Sequence, residues 1–197
     1  MRPNLSAAGA HPAGAARGAS PTEYVQAMRL ALNVGYWGTT GTDDLNGMLA
    51  LSKAADEHHY DVVWLAEAYG SDIPSLTGYL AAHTQNVGYG AAIMQIPGRT
   101  PAMTAMTAAT LDRITGGRFH LGLGVSGPQV SEGWHGVRFA DPLGRTREYV
   151  EIVRQALGRK NVEFHGKHFD LPLPDGPGKS LRLLLLPERG DLPIYLA

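Results

Sequence analysis

The sequence predicts an α/β protein built around a parallel β-sheet, on three observations. From Met28 onward, short apolar runs alternate with longer segments whose apolar residues recur at helical period, the rhythm of repeated βα units. Asp61–Glu67 (DVVWLAE) is almost wholly apolar, as expected of a strand buried on both faces. Gly90–Ser126 reads as a full βαβ unit in which Thr100-Pro101 opens a helix. A hydroxyl there caps the first turn, and the missing N–H of proline costs nothing. An open Rossmann-like sheet and a (β/α)8 barrel both fit that rhythm. The lack of a Gly-x-Gly-x-x-Gly after the first strand weighs against the Rossmann arrangement.

Each element follows from local pattern. Arg29–Tyr36 is read as strand 1, ending in Gly35-Tyr36-Trp37-Gly38. Thr42-Asp43-Asp44 caps a helix whose apolar positions Leu45, Met48, Leu49, Leu51 and Ala55 follow a 3.6-residue period. Asp61–Glu67 is strand 2, and Pro74–Thr84 the second helix. Strand 3 is Ala91–Met94, breaking at Pro97-Gly98. The helix opened by Thr100 stops at Gly116-Gly117, and strand 4, Arg118–Leu123, runs into Gly124-Val125-Ser126-Gly127. An irregular stretch, Gly124–Leu143, precedes a helix from about Arg145 to Leu157. Its apolar face is Tyr149, Val150, Ile152, Val153, Ala156 and Leu157. Val162–Leu171 alternates around Gly166 and predicts a β-hairpin outside the main sheet. A Pro/Gly-rich linker over 171–180 and the run Leu181–Leu186 follow, and Leu192–Ala197 is expected as a fifth buried strand.

Composition narrows the function. Residues 1–27 are rich in Ala, Gly, Pro and Ser and lack the roughly 7–15-residue apolar core of a secretory signal. They are expected to form a disordered extension, with the domain occupying 28–197. Charged residues make up 18% and nearly cancel, for a net charge of −1, which argues against a nucleic-acid surface. No apolar run reaches the ~18–20 residues of a membrane span. The chain has no cysteine, which excludes disulfides, thiolate metal sites and a cysteine nucleophile, and fits a cytoplasmic location. His58 and His59 are sequence neighbours at a helix end. His165 and His168 flank a hairpin turn with only Asp170 as carboxylate partner. They read as surface histidines, and no metal is expected. Gly178-Lys179-Ser180 lacks the strand-to-helix context of a phosphate loop.

The run MQIPGRTPAMTAMTAATLD…GGRFHLGLGVSGPQVSEGWHG resembles the luciferase-like monooxygenase superfamily, most closely its coenzyme F420-dependent oxidoreductases. The resemblance covers Arg29–Ala197 and decides for a luciferase-like TIM (β/α)8 barrel. A whole barrel takes roughly 250 residues, so an incomplete one, with about five of eight strands, is expected. The resemblance implies an oxidoreductase that transfers a hydride between the deazaflavin F420 and a small organic substrate. FMN-dependent monooxygenation is the alternative chemistry, and a catalytically silent barrel fragment is the alternative from another class. The relatives hold the cofactor phosphate and tail largely with segments after the fifth strand, so this chain alone is expected to bind F420 weakly. Homo-oligomerisation is left open.

A barrel of this kind presents its site at the C-terminal ends of its strands. Here these are Tyr36-Trp37, Glu67-Ala68-Tyr69, Met94-Gln95 and Gly124-Val125-Ser126. The expected cofactor-binding residues are Glu67, Ala92, Ile93, Met94, Gln95, Gly124, Val125 and Ser126. Glu67 reads either as a capping or loop carboxylate near Ser71 and Asp72 or, by the resemblance, as a contact of the cofactor ring. Ala68 stands where several F420 enzymes carry a histidine, so no catalytic acid or base is assigned. The resemblance places a non-prolyl cis peptide at Ala92–Ile93, in a bulge backing the middle ring, where small Ala92 lets the ring approach. Gln95 is expected to donate to a ring carbonyl. Gly122, Gly124 and Gly127 permit close backbone approach to a ligand. Trp134 is read as a cover over the ligand or as the anchor of a long loop, and His135 as a loop residue. Arg145, Arg147, Glu148 and Tyr149 make an ordinary first turn with local pairing or, by the resemblance, supply an Arg and a Tyr that place the ring or hold the loop.

Overall fold

The computed structural model describes residues 29–35 and 45–197. The 1–27 extension, Tyr36-Trp37 and the Thr42-Asp43-Asp44 cap lie outside the described residues. The elements are β1 (Ala31–Gly35), α1 (Leu45–Glu57), β2 (Val62–Leu65), α2 (Ile73–Ala81), β3 (Gly88–Ala91), β4 (Met94–Gln95), α3 (Pro101–Ile114), β5 (Phe119–Gly124), α4 (Pro128–Ser131), α5 (Pro142–Leu157), β6 (Phe164–His165), β7 (Asp170–Leu171) and β8 (Ile194–Leu196).

β1, β2, β3, β5 and β8 lie side by side in chain order, all parallel. A doubly wound sheet reverses its strand order at a switch point; this one does not. Side chains alternate along each strand. Val63, Leu65, Tyr89, Phe119, Leu121 and Leu123 are buried in one cluster with Met48, Ile73, Leu80, Ala105, Ala108 and Tyr149 of the helices. The other face carries Trp64, His120 and Tyr195, with Trp64 and Tyr195 edge-to-face at 5.3 Å and His120 Nδ1 3.1 Å from the Tyr195 hydroxyl. Burial pushes the His120 imidazole below its ordinary pKa. One helical layer outside and an aromatic inner face make this an arc of an α/β barrel.

Strand 3 departs from the expected single run. β3 and β4 share one barrel position beside β5 but are interrupted at the cis Ala92–Ile93 peptide. β5 pairs Gly90 with His120 and Met94 with Leu123, so the β3–β4 side carries one extra residue, a bulge. Gly88-Tyr89-Gly90, outside the expected strand, in fact open it. The helix expected at Arg145 begins three residues earlier, at Pro142. Asp141 caps it by accepting from Gly144 N–H (3.2 Å), with proline in the first turn. The irregular stretch before it contains the one-turn helix α4. The second helix spans Ile73–Ala81 and not Pro74–Thr84, because Asp72 caps it through Ser75 N–H (3.0 Å) and Thr84 turns to the Tyr89 hydroxyl (2.9 Å).

The expected hairpin is present as the short antiparallel pair β6–β7, outside the main sheet. The Glu148 carboxylate gathers the N–H groups of Lys167, His168 and Phe169 at 2.9, 2.8 and 3.2 Å. Burial opposes its charge, yet these three donors hold Glu148 below the ordinary carboxylate range. The fifth strand is a correction: only Ile194–Leu196 is extended, and Tyr195 and Leu196 are exposed. β8 pairs with β5 alone among the described strands. The fully buried carboxylate of Asp112 holds the approach to it, accepting from the Arg189 backbone N–H (2.8 Å) and guanidinium (2.8 and 2.9 Å). Among the described residues, no helix is long and apolar enough to cross a membrane, and no group of three or more His, Cys, Asp or Glu is placed to hold a metal ion.

Gly47 lies within α1 with open space where a Cβ would stand. Gly47→Ala is therefore expected to raise stability by ~0.5–1 kcal/mol, because glycine loses more backbone entropy in a helix. An unchanged or lowered urea midpoint would contradict this.

Candidate active site

The C-terminal ends of β2, β4 and β5 converge on one rim, and a buried ion pair fastens two of them. Glu67 follows β2 with its side chain 7% exposed. Its carboxylate accepts from both terminal nitrogens of Arg99, at 2.9 Å for Nη2 and more closely for Nη1. It also accepts from the N–H of Ile73 (3.0 Å), in the first turn of α2, and of Gln95 (3.4 Å), in β4. The capping reading of Glu67 thus has a place in the structure, and a partner 32 residues away joins it. Arg99 escaped the sequence analysis because the turn after Pro97-Gly98 gives no local sign of where its side chain goes.

Arg99 is anchored a second time. The Tyr149 hydroxyl donates toward the backbone carbonyls of Arg99 (3.1 Å) and Thr100 (3.4 Å), so the Thr104 hydroxyl, 2.5 Å away, donates to Tyr149. Thr100 in turn caps α3 through Met103 N–H (3.2 Å). Tyr149 is fully buried, and burial pushes its phenol up to about 12. An unfolded tyrosine titrates near ~10. The stabilisation from keeping Tyr149 neutral is therefore whole below pH ~10 and lost as pH rises through about 12. In urea melts, wild-type stability should fall more steeply than that of Tyr149→Phe above pH ~10. Equal slopes would rule this out.

Gln95, 2% exposed, is committed internally. Its Nε2 donates to the Ala68 carbonyl (2.6 Å), which can only accept, so its Oε1 faces His135 Nε2 (3.3 Å). His135 is the donor of that pair, and Nε2 carries the proton. The His135 imidazole, expected in a loop, thus lies two hydrogen bonds from the carbonyl of Ala68. Trp134 beside it is 66% exposed.

Gly122 and Gly124 make room for neighbouring parts of the protein. A Cβ at Gly122 would stand 1.8 Å from the Ala91 carbonyl oxygen, and one at Gly124 2.3 Å from Ile93 Cδ1. At these two positions the space of a side chain is taken by the bulge of the neighbouring strand. At Gly127 the nearest atom is Gln129 Oε1, at 3.3 Å. Of the eight expected contact residues, Met94, Gln95 and Gly124 are buried. Ala92 is exposed, and Ile93, Val125 and Ser126 are half-exposed, Ser126 with a left-handed φ of 59°. The Arg145 guanidinium lies over the Phe169 ring, 5.7 Å from its centroid.

Comparison with known proteins identifies the family and the fold. The luciferase-like monooxygenase family matches residues 24–197. A Mycobacterium tuberculosis protein provisionally named a coenzyme F420-dependent oxidoreductase is 45% identical over 174 residues, 86% of this chain and 49% of that protein. The 5,10-methylenetetrahydromethanopterin reductase of Archaeoglobus fulgidus is 31% identical over 145 residues, 73% of this chain and 41% of that enzyme. The crystal structure of monooxygenase RslO1 from Streptomyces bottropensis superimposes with a TM-score of 0.74 at 20% identity, over 86% of this chain and 53% of that one. The chain spans about half the length of the curated relatives it matches.

Proposed function

The chain belongs to the luciferase-like monooxygenase family, and on that premise we propose that it serves an F420-dependent oxidoreductase acting on a small organic substrate in the cytoplasm. The observation that carries this reading is the 45% identity, over 174 residues, to the mycobacterial relative provisionally named a coenzyme F420-dependent oxidoreductase. When bound, the deazaflavin would supply the hydride chemistry, accepting or donating it at one ring carbon. The residues fit a flat ring. The large polar side chains of the rim, Glu67 and Gln95, are turned into the protein, and the exposed Ala92 leaves a surface of backbone and methyl. Ala92, Ile93, Val125 and Ser126 would line the ring. Glu67, Met94, Gln95 and Gly124 would hold that wall from behind. With its amide engaged by Ala68 and His135, Gln95 is given a supporting role in place of the ring-carbonyl contact expected from sequence.

Fluorescence of the tryptophans Trp37, Trp64 and Trp134 tests this. F420 titrated into the purified chain should quench it saturably and at lower concentration than FMN does. Ala92→Leu should weaken F420 at least about tenfold, equivalent to ~1.4 kcal/mol. Since Ala92 is exposed, stability should change by less than about 0.5 kcal/mol. Tighter quenching by FMN would favour flavin chemistry instead, and no quenching by either would withdraw the site.

A further inference from the structure

Away from the rim, the outer wall contains a cavity of about 490 Å³ between α3, the end of α5 and the segment 179–185. Ala102, Met106 and Thr110 recur every fourth residue on α3 and form a floor ~12 Å long. Leu181, Leu184 and Leu185 form the opposite side without joining the core, and Leu181 and Leu184 are 76% and 85% exposed. The segment is nevertheless pinned: Val162 N–H donates to the Leu181 carbonyl (2.9 Å) and Arg159 Nε to that of Leu183 (3.3 Å). The volume falls within the ~300–1,000 Å³ of small-molecule sites, which are mostly apolar with a few polar groups that orient the ligand. Here those groups are cations. Lys179 and Arg182 both line the cavity, no Asp or Glu does, and neither cation pairs with a carboxylate among the described residues.

We propose that this cavity binds a free single-chain anionic amphiphile, its alkyl chain along the Ala102–Met106–Thr110 floor and its acid group at Lys179 and Arg182. An apolar body satisfies the leucines, and only a negative end complements an unopposed pair of cations. The site is separate from the proposed ring wall, so either can fail alone.

The test uses the full chain and 11-(dansylamino)undecanoic acid, whose fluorescence rises on entering an apolar site. Saturable enhancement is expected. Decanoate should displace the probe at concentrations at least about tenfold lower than decanol. Lys179→Glu with Arg182→Glu, both on the surface, should weaken the probe about tenfold or more. Met106→Trp, which fills the floor, should abolish binding. If Met106→Trp fails to fold by circular dichroism, the charge-reversed variant decides. No saturable enhancement, equal competition by decanol and decanoate, or affinity unchanged in the charge-reversed variant would overturn the proposal. So would a dimer in sedimentation that Met106→Trp dissociates, since a second copy would then be the occupant.

Discussion

Arg99→Ala should lower the unfolding free energy by ~3–5 kcal/mol, the cost of leaving one partner of a buried ion pair uncompensated. Glu67 would be that partner, with its side chain 7% exposed and only the N–H groups of Ile73 and Gln95 left as donors. Arg99→Lys should recover only part of the loss, because an ammonium cannot bridge both carboxylate oxygens as the guanidinium does. Glu67→Gln keeps the shape and removes the charge. Urea unfolding of both single variants and the double variant isolates the coupling between them. A loss below about 1 kcal/mol for Arg99→Ala would place the pair among weak surface bridges and remove the clamp between β2 and the turn after β4.

Gly122→Ala is the second large effect. The added methyl would lie 1.8 Å from the Ala91 carbonyl oxygen and 2.9 Å from its carbon, both backbone atoms that cannot rotate away. A cost of ~1–3 kcal/mol or more is expected from overpacking. The bulge must shift with it, so F420 quenching should weaken at least about tenfold under the proposed function. The comparison with Ala92→Leu is diagnostic, since that variant should lose binding while keeping stability. If Gly122→Ala melts like the wild type, β5 and the bulge are not in the contact described.

Much was legible in the chain because it depends on residues close in sequence. The apolar period of α1 and α5, the Thr100-Pro101 start of α3 and the apolar run of β2 each follow from a few consecutive residues. Capping and periodicity are local physics. The incomplete barrel and the cis peptide at Ala92–Ile93 are expected from family resemblance; the structure contains the cis peptide and an arc of such a barrel. What only the tertiary structure decided lies between residues distant in sequence. Glu67 meets Arg99 across 32 residues, and Gln95 meets His135 across 40. Gly122 makes room for the Ala91 carbonyl of another strand, and β8 joins the sheet by pairing with β5, more than 70 residues earlier. A side chain's own sequence neighbourhood states its chemistry and its periodic face. Which donor or backbone atom lies opposite is set by strand register, by one extra residue in a bulge and by the packing of helices from elsewhere in the chain.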